Sequence, residues 1–335
     1  MNVNNIRVNN TIKGKDILFI CPIFHDYHRL IIDELERLGA NVDFYPERKY
    51  NYWFKILNHL SFSLLSKYQA RHYKEIGKAI AGKHYDYLLV IRGYMIPDCF
   101  ILDFKKNNHS AKTIMYQWDS NRTNSFEKVI DCFDKVNSFD YEDCMAFPKI
   151  NYLPLFATSD IVNLSNRLTF EKDTSNIKFF FMGGYLPERY KALLKFADFA
   201  QTSGYSFKGY IYVPLSTLLK EYLKFNFLRL DYASIRHMDR ATYLNLLSKS
   251  DIIVDVSNRG QTGLAMRIIE GLCLGKKILT DNKNILSDPL YNNQQIAVFN
   301  ADAPAIDKQF VESCHYDKIS VLDINSWIIK LLCDE

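Results

Sequence analysis

The sequence predicts an α/β protein made of two doubly wound parallel-sheet domains, Rossmann-like in plan and facing a cleft. Three observations carry this. Short, continuous apolar runs recur along the chain, of the kind buried on both faces of a parallel sheet. Segments of helical period alternate with them. The alternation occurs twice, in series of similar size on either side of a polar segment at 163–176, and 335 residues suit two domains of about 150 each.

The elements follow in order. Asp16–Cys21 (DILFIC) reads as a buried strand. His28–Leu38 is a helix with Ile31, Leu35 and Leu38 on one face, and Gly39 ends it. Asn41–Tyr45 is a second strand, and Arg48–Ala81 one long helical, basic and aromatic segment. Tyr87–Ile91 is strand three, Pro97–Lys106 a short helix opened by proline, and Thr113–Gln117 strand four. Val136–Ser138 and Tyr152–Leu155 close the first half. Asn163–Asn176 has few large apolar residues and reads as the interdomain linker. The second half runs through strand Lys178–Met182, helix Pro187–Thr202, strand Phe207–Val213 and helices Leu215–Leu223 and Arg240–Ser248. Strands Ile252–Val256, Lys277–Thr280 and Ala297–Asn300 follow, then an amphipathic helix near Asp323–Leu332. The expected domains are 1–160, 175–320, and a C-terminal helix at 321–335 returning to the first.

Composition excludes several classes. Apolar residues make up 48% and charged residues 24%, as in ordinary globular proteins. A net charge of +4 is too small to argue for nucleic acid. Seven scattered cysteines without a CxxC pair read as free thiols of a reducing cytoplasm. No apolar run reaches the roughly 18 residues of a membrane span, and the polar N-terminus lacks the apolar core of a secretory signal. The expected location is the cytoplasm.

The chemistry concentrates in Ser250–Asn282. An apolar strand runs into a polar loop holding Arg259, Gly260 and Gln261. A helix is expected to open at Thr262-Gly263-Leu264, to carry Arg267 and Glu270 one turn apart, and to stop at Gly275. Free N–H groups at a helix start, with the helix dipole, suit a diphosphate. Gly263 lets the backbone approach closely. A carboxylate further along can accept from both hydroxyls of a ribose, and Arg267 suits a phosphate or pairs with Glu270. The blander reading is a surface Arg–Glu helix pair. A second element is Phe181-Met182-Gly183-Gly184-Tyr185, where a strand meets two glycines, with Arg189 beyond. Backbone can touch phosphate there and Arg189 adds charge; the plain alternative is a tight turn. The pattern is not GxGxxG, and no acidic residue at the dinucleotide spacing supports NAD.

The run GQTGLAMRIIEGLCLGKKILTDN resembles the C-terminal motif of bacterial GT-B glycosyltransferases, closest to CgeB-like and related lipopolysaccharide or capsule enzymes. Gln261, Gly263, Leu264, Met266, Arg267, Glu270, Gly275, Lys276, Lys277, Thr280 and Asn282 match it. Tyr116-Gln117-Trp118-Asp119-Ser120 resembles a segment such proteins carry after a first-domain strand. The resemblance implies a GT-B fold, a nucleotide-sugar donor in the C-terminal domain and an acceptor in the N-terminal one, with Glu270 on the donor ribose. Many such enzymes place another glutamate eight residues earlier, where this chain has Thr262.

A catalytic base is sought in the first domain's strand-end loops, where Asp119, His25 and Asp26 are the candidates and capping or a solvated loop is the ordinary alternative. Arg92 suits an acidic acceptor or the donor phosphate. No metal or other cofactor is expected: the DxD of metal-dependent GT-A enzymes is missing, and a helix dipole with arginines can carry the leaving diphosphate. Arg48–Lys74 combines six basic residues with aromatics and no acid. That composition suits peripheral contact with the anionic inner face of the cell membrane, or a core helix with snorkelling lysines. The sequence thus points to transfer of a sugar from a nucleotide-sugar to a saccharide or lipid-linked acceptor. The rivals are a nucleotide-sugar epimerase on the same fold and a non-catalytic binding or assembly protein.

Overall fold

In a computed structural model, the described residues are 12–24, 26–168, 176–258, 262–313 and 319–333. The chain forms two compact units, Met1–Pro154 with Ile324–Glu335, and Leu155–Asp323.

The first unit holds a parallel sheet of six strands: β1 Asp16–Cys21, β2 Asn41–Pro46, β3 Tyr87–Ile91, β4 Lys112–Gln117, β5 Lys135–Ser138 and β6 Ile150–Tyr152. Their order is β2-β1-β3-β4-β5-β6, so the winding reverses between β1 and β3. Leu18, Ile20, Leu88, Val90 and Met115 pack against Tyr73, Phe100 and Phe104 of the covering helices. The C-terminal helix Ile324–Leu332 lies in this unit, against helix Tyr27–Arg37 and β4. Its fully buried Trp327 meets the Tyr116 ring edge-on, with centroids 4.8 Å apart.

The segment expected as one helix over 48–81 is two, Tyr52–Leu60 and Phe62–Ala79. Ser61 is extended, and its hydroxyl accepts from the Leu64 N–H as a cap for the second helix. A capping serine offers the backbone an alternative to continuing the helix, which periodicity does not register.

The second unit holds β7 Lys178–Gly184, β8 Ser206–Tyr212, β9 Ala233–Ser234, β10 Ile252–Asp255, β11 Lys277–Thr280 and β12 Ile296–Val298, all parallel. The order β9-β8-β7-β10-β11-β12 is the 3-2-1-4-5-6 winding of dinucleotide-binding sheets. Its switch point lies between β7 and β10, which pair through Ile252 with Phe179 and Ile253 with Phe180. Phe179, Phe181, Leu193, Phe196 and Val254 form the core on one face.

Two further expectations change here. Residues 163–167 are not linker but the end of helix Ser159–Arg167, whose Ile161 is fully buried and whose Ser165 hydroxyl donates to the Cys273 carbonyl at 2.7 Å. The helix buries a narrow stripe, so its polar remainder reads as linker. Residues 169–175 lie outside the described set. The strand expected to end at Met182 runs on through Gly183 and Gly184, so the alternative of a tight turn there falls. Both glycines belong to β7, paired with Ile211 and Tyr212. Among the described residues, no helix is long and apolar enough to cross a membrane.

Candidate functional site

In parallel sheets of this winding, ligands bind outside the carboxyl ends of the strands at the switch point. In the second unit those ends carry Gly183 and Gly184 on β7 and Asp255, Val256 and Ser257 at β10. Two arginines converge on them. Arg189, in helix Pro187–Thr202, donates from Nε to the Val256 carbonyl at 2.8 Å and from Nη1 to the Gly184 carbonyl at 2.9 Å. It makes no ion pair among the described residues. Burial, then the neighbouring Arg267 charge, lower its pKa to about 10. Arg267, in helix Met266–Cys273, pairs with the buried Asp255, donates to the Met182 carbonyl at 3.0 Å, and lies over the Phe181 ring. Asp255 also accepts from the Thr280 hydroxyl at 2.7 Å. A Cβ on Gly183 would stand 3.4 Å from Arg267 Nη2 and 3.0 Å from the Phe181 ring. The missing side chain at Gly183 therefore leaves room for the Phe181 ring, over which the Arg267 guanidinium lies.

The helix opens later than expected. It spans Met266–Cys273 with Ala265 as its N-cap, so Thr262, Gly263 and Leu264 form the loop before it and are not its first turn. Thr262 and Leu264 are buried, and the Asn282 side-chain amide donates to the Thr262 carbonyl at 2.8 Å. Gly271 lies against the sheet, where a Cβ would come within 2.8 Å of Ile278. Gly275 takes the left-handed backbone that closes the helix.

Glu270 does not pair with Arg267. It is 2% exposed, and its carboxylate accepts from Arg240 Nη1 at 3.0 Å and from the Tyr243 hydroxyl. Burial pushes its pKa up, against the Arg240 charge and both hydrogen bonds. Arg240 also holds Asp160 through Nε at 2.8 Å and Nη2 at 3.0 Å. Burial alone would raise the Asp160 pKa, but hydrogen bonds from Arg240 and Thr158 outweigh it and hold it down. Arg240 thus bridges two carboxylates, and Glu270 is fixed from two sides.

In the first unit the strand ends hold a second polar cluster. Glu47, just past β2, is 0% exposed. It accepts from Arg92 Nε at 3.1 Å, from Arg92 Nη2, and from the Tyr94 N–H at 3.0 Å. Arg92 Nη1 reaches Asp119 at 3.2 Å. The backbone here is unusual: Arg92 and Met95 are left-handed at φ 64° and 52°. Such strain in non-glycine residues collects at functional sites. The Gln117 amide donates to the Arg92 carbonyl at 2.9 Å and secures the turn. The Arg92 guanidinium, expected as a free cation for an acceptor, is held by two carboxylates. Asp26 is the N-cap of its helix by position, but its side chain makes no capping bond. It is exposed, left-handed at φ 61°, and 3.6 Å from Arg29. His25 lies outside the described residues, as do Arg259, Gly260 and Gln261. Among the described residues, no three His, Cys, Asp or Glu side chains gather as a metal cluster.

Known proteins match this chain through structure alone. No protein-family model matches it, and no curated protein matches its sequence. OtsA in its apo form superposes with a TM-score of 0.64 at 12% identity, over 96% of this chain and 100% of that one. The UDP-forming α,α-trehalose-phosphate synthase of Burkholderia xenovorans, in complex with glucose-6-phosphate, gives 0.62 at 11% identity, over 94% and 98%. S. aureus MnaA with UDP gives 0.54 at 9% identity, over 94% of each chain. The fold is GT-B. Identities this low carry the GT-B architecture and nothing finer.

Sequence reasoning missed Asp255, Arg240, Tyr243 and Glu47. Asp255 was findable, because a polar residue ending an apolar strand at a switch point faces the ligand side. Arg240 and Tyr243 meet Glu270 across about thirty residues of chain, and no local pattern announces that.

Proposed function

We propose that this chain is a glycosyltransferase that moves a sugar from a nucleoside-diphosphate donor to a saccharide or lipid-linked acceptor of a cell-surface polysaccharide, such as lipopolysaccharide or capsule. One observation supports it most. Arg189 stands at the switch point of a dinucleotide-type sheet, bonded to two carbonyls, in no ion pair among the described residues, and beside the Arg267 guanidinium, with the Asp255 and Asp281 charges acting on it from further off. Asp255 pairs with Arg267, while Arg189 bonds only carbonyls among the described residues, and a guanidinium without a direct carboxylate contact favours an anion such as a diphosphate beside it.

In this reading Arg189, Arg267 and the backbone at Gly183, Gly184 and Gly263 hold the diphosphate. Glu270 accepts from the ribose hydroxyls. A carboxylate offers about four lone-pair positions, and Arg240 and Tyr243 hold the group in place while leaving others for a ligand. The acceptor hydroxyl attacks the anomeric carbon as the nucleoside diphosphate departs. In the first unit Asp119, oriented by Arg92, takes the acceptor proton. The solved neighbours named with UDP or a sugar phosphate fit this assignment.

The lipid-linked acceptor is favoured by the surface of helices Tyr52–Leu60 and Phe62–Ala79. Tyr52, Trp53, Leu60 and Phe62 are all exposed there, with Lys55, Lys67 and Arg71 close in sequence. Aromatics beside basic residues suit the headgroup layer of an anionic membrane. The test is incubation with sugar nucleotides, with and without a lipid-linked acceptor fraction. Sugar transfer that requires the acceptor supports the proposal. Conversion of the sugar nucleotide without acceptor marks an epimerase, and no turnover of any donor contradicts both.

A further inference from the structure

Residues 214–236 of the second unit, which follow the carboxyl end of β8, expose a run of large apolar side chains. Helix Leu215–Leu223 turns Glu221 inward, and Leu218 packs part-way onto the core. Leu219, Tyr222 and Leu223 on the same helix are exposed, and so are Phe225, Phe227 and Leu230 beyond it. The loop is firmly built. The Asn226 amide donates to Glu221 at 2.6 Å, Leu228 is buried, and the Arg229 N–H donates to the Tyr190 hydroxyl at 2.6 Å.

Phe225 is the informative residue. The helix ends in a Schellman turn, with the Phe225 N–H on the Tyr222 carbonyl and the Asn226 N–H on that of Glu221, both at 2.9 Å. The turn requires a left-handed residue, and Phe225 supplies it at φ 58°. Glycine is the ordinary occupant, since a Cβ is strained there. Phe225 is 83% exposed, so it does not offset the strain through packing. The turn holds an aromatic side chain out into solvent.

The charges around it select the partner. Lys220, Lys224, Arg229 and Arg236, all exposed, are interspersed in sequence with the apolar residues. Of the two acids, Glu221 is buried, bonded to Asn226 and 3.5 Å from Lys224, and Asp231 faces Arg229 at 3.4 Å, so Lys220 and Arg236 carry the excess positive charge. Lysines are depleted at protein–protein interfaces but accompany aromatics on surfaces that enter anionic headgroups. We propose that this surface docks on an anionic phospholipid bilayer and that Phe225 is its inserting side chain. It uses residues distinct from those at 52–62 and does not depend on the sugar-transfer reading.

The test is sedimentation of the full chain with phosphatidylglycerol–phosphatidylcholine vesicles against phosphatidylcholine alone, with melting curves alongside. Wild type should bind the anionic vesicles preferentially. Phe225→Gly should melt higher, because strain is relieved, yet bind these vesicles about tenfold more weakly through loss of a buried phenyl. Phe225→Asn, which tolerates the same backbone, should also bind more weakly. Unchanged vesicle binding in both variants overturns the proposal, as does a lower melting point for Phe225→Gly. So does vesicle binding lost only in a Trp53→Ala/Phe62→Ala chain. A dimer that disappears in Phe225→Gly, without vesicle binding, overturns it in favour of a contact between copies.

Discussion

Replacing Glu270 by glutamine separates a structural from a ligand-binding role. Glutamine keeps the shape and can still accept from Arg240 and bond with Tyr243. Arg240 retains Asp160 on two nitrogens. The fold exchanges a charge-assisted bond for a neutral one, a loss of about 1 kcal/mol. Against this, burial raises the Glu270 pKa, so its ionised form is disfavoured by folding. A raised carboxylate contributes stability that is full below its unfolded pKa and is lost as pH rises through the folded value. Near neutral pH the two effects oppose each other, and the melting point should move by no more than about 3 °C. A ligand meets the change differently. Each ribose hydroxyl bonded to a carboxylate is worth about 1.5–3 kcal/mol, and losing the charge removes roughly half. Two such bonds make the variant about tenfold to a hundredfold weaker. Isothermal titration with ribo- and 2′-deoxyribonucleoside diphosphates reads this out. Wild type should prefer the ribose form, and Glu270→Gln should lose the preference. An unchanged Kd with the preference intact would refute the ribose role and leave Glu270 as an internal ion-pair partner.

Arg189→Met keeps the apolar stem of the side chain and breaks no ion pair among the described residues, while Asp281 keeps its bonds from Ser257. It should weaken nucleoside diphosphate binding at least tenfold in titration calorimetry, from loss of one charge-assisted contact, while the melting point changes little. Asp143 has a pKa raised to about 6 by burial, with the Asp140 charge adding to it against a hydrogen bond from the Asn121 N–H. Its sign follows the same rule: the contribution is full below about pH 4 and is lost as pH rises past about 6. Urea unfolding at pH 4.5 and 7 should therefore show a smaller pH dependence for Asp143→Asn, and parallel curves would contradict the assignment. Trp327→Ala should cost about 3–5 kcal/mol in urea unfolding, because the ring is fully buried against Tyr116.

Much of the fold was legible because it rests on simple signals. The runs DILFIC, YLLVI and KILT are buried on both faces, and each appears as a strand within a residue of its expected ends. Pro187 and the repeating apolar face behind it marked the helix Pro187–Thr202. The misreadings share a cause. Ser61 and Asn163–Arg167 were judged by local composition, and β7 was ended two residues early at Met182, while their structure follows from a cap, a narrow buried stripe and a neighbouring strand. The start of the 266–273 helix moved for a similar reason, since Gly263 looked like a helix entry but belongs to a loop pinned by Asn282. At the candidate site, single residues such as Arg189, Arg267 and Glu270 were visible in the sequence. Their partners were not, because Asp255, Val256 and Arg240 reach them only through the folded sheet and helices.

The most direct measurement is thermal unfolding of the purified chain against uridine, guanosine, adenosine and thymidine diphosphates, repeated with Arg189→Met. At least one nucleotide should raise the wild-type melting point, since a ligand at a hundred times its Kd adds about 2.7 kcal/mol, and Arg189→Met, binding at least tenfold more weakly, should cut that rise to about half or less at the same concentration. If no nucleotide moves the wild-type curve, or if the rise is undiminished in the variant, the switch point of the second unit is not the donor site.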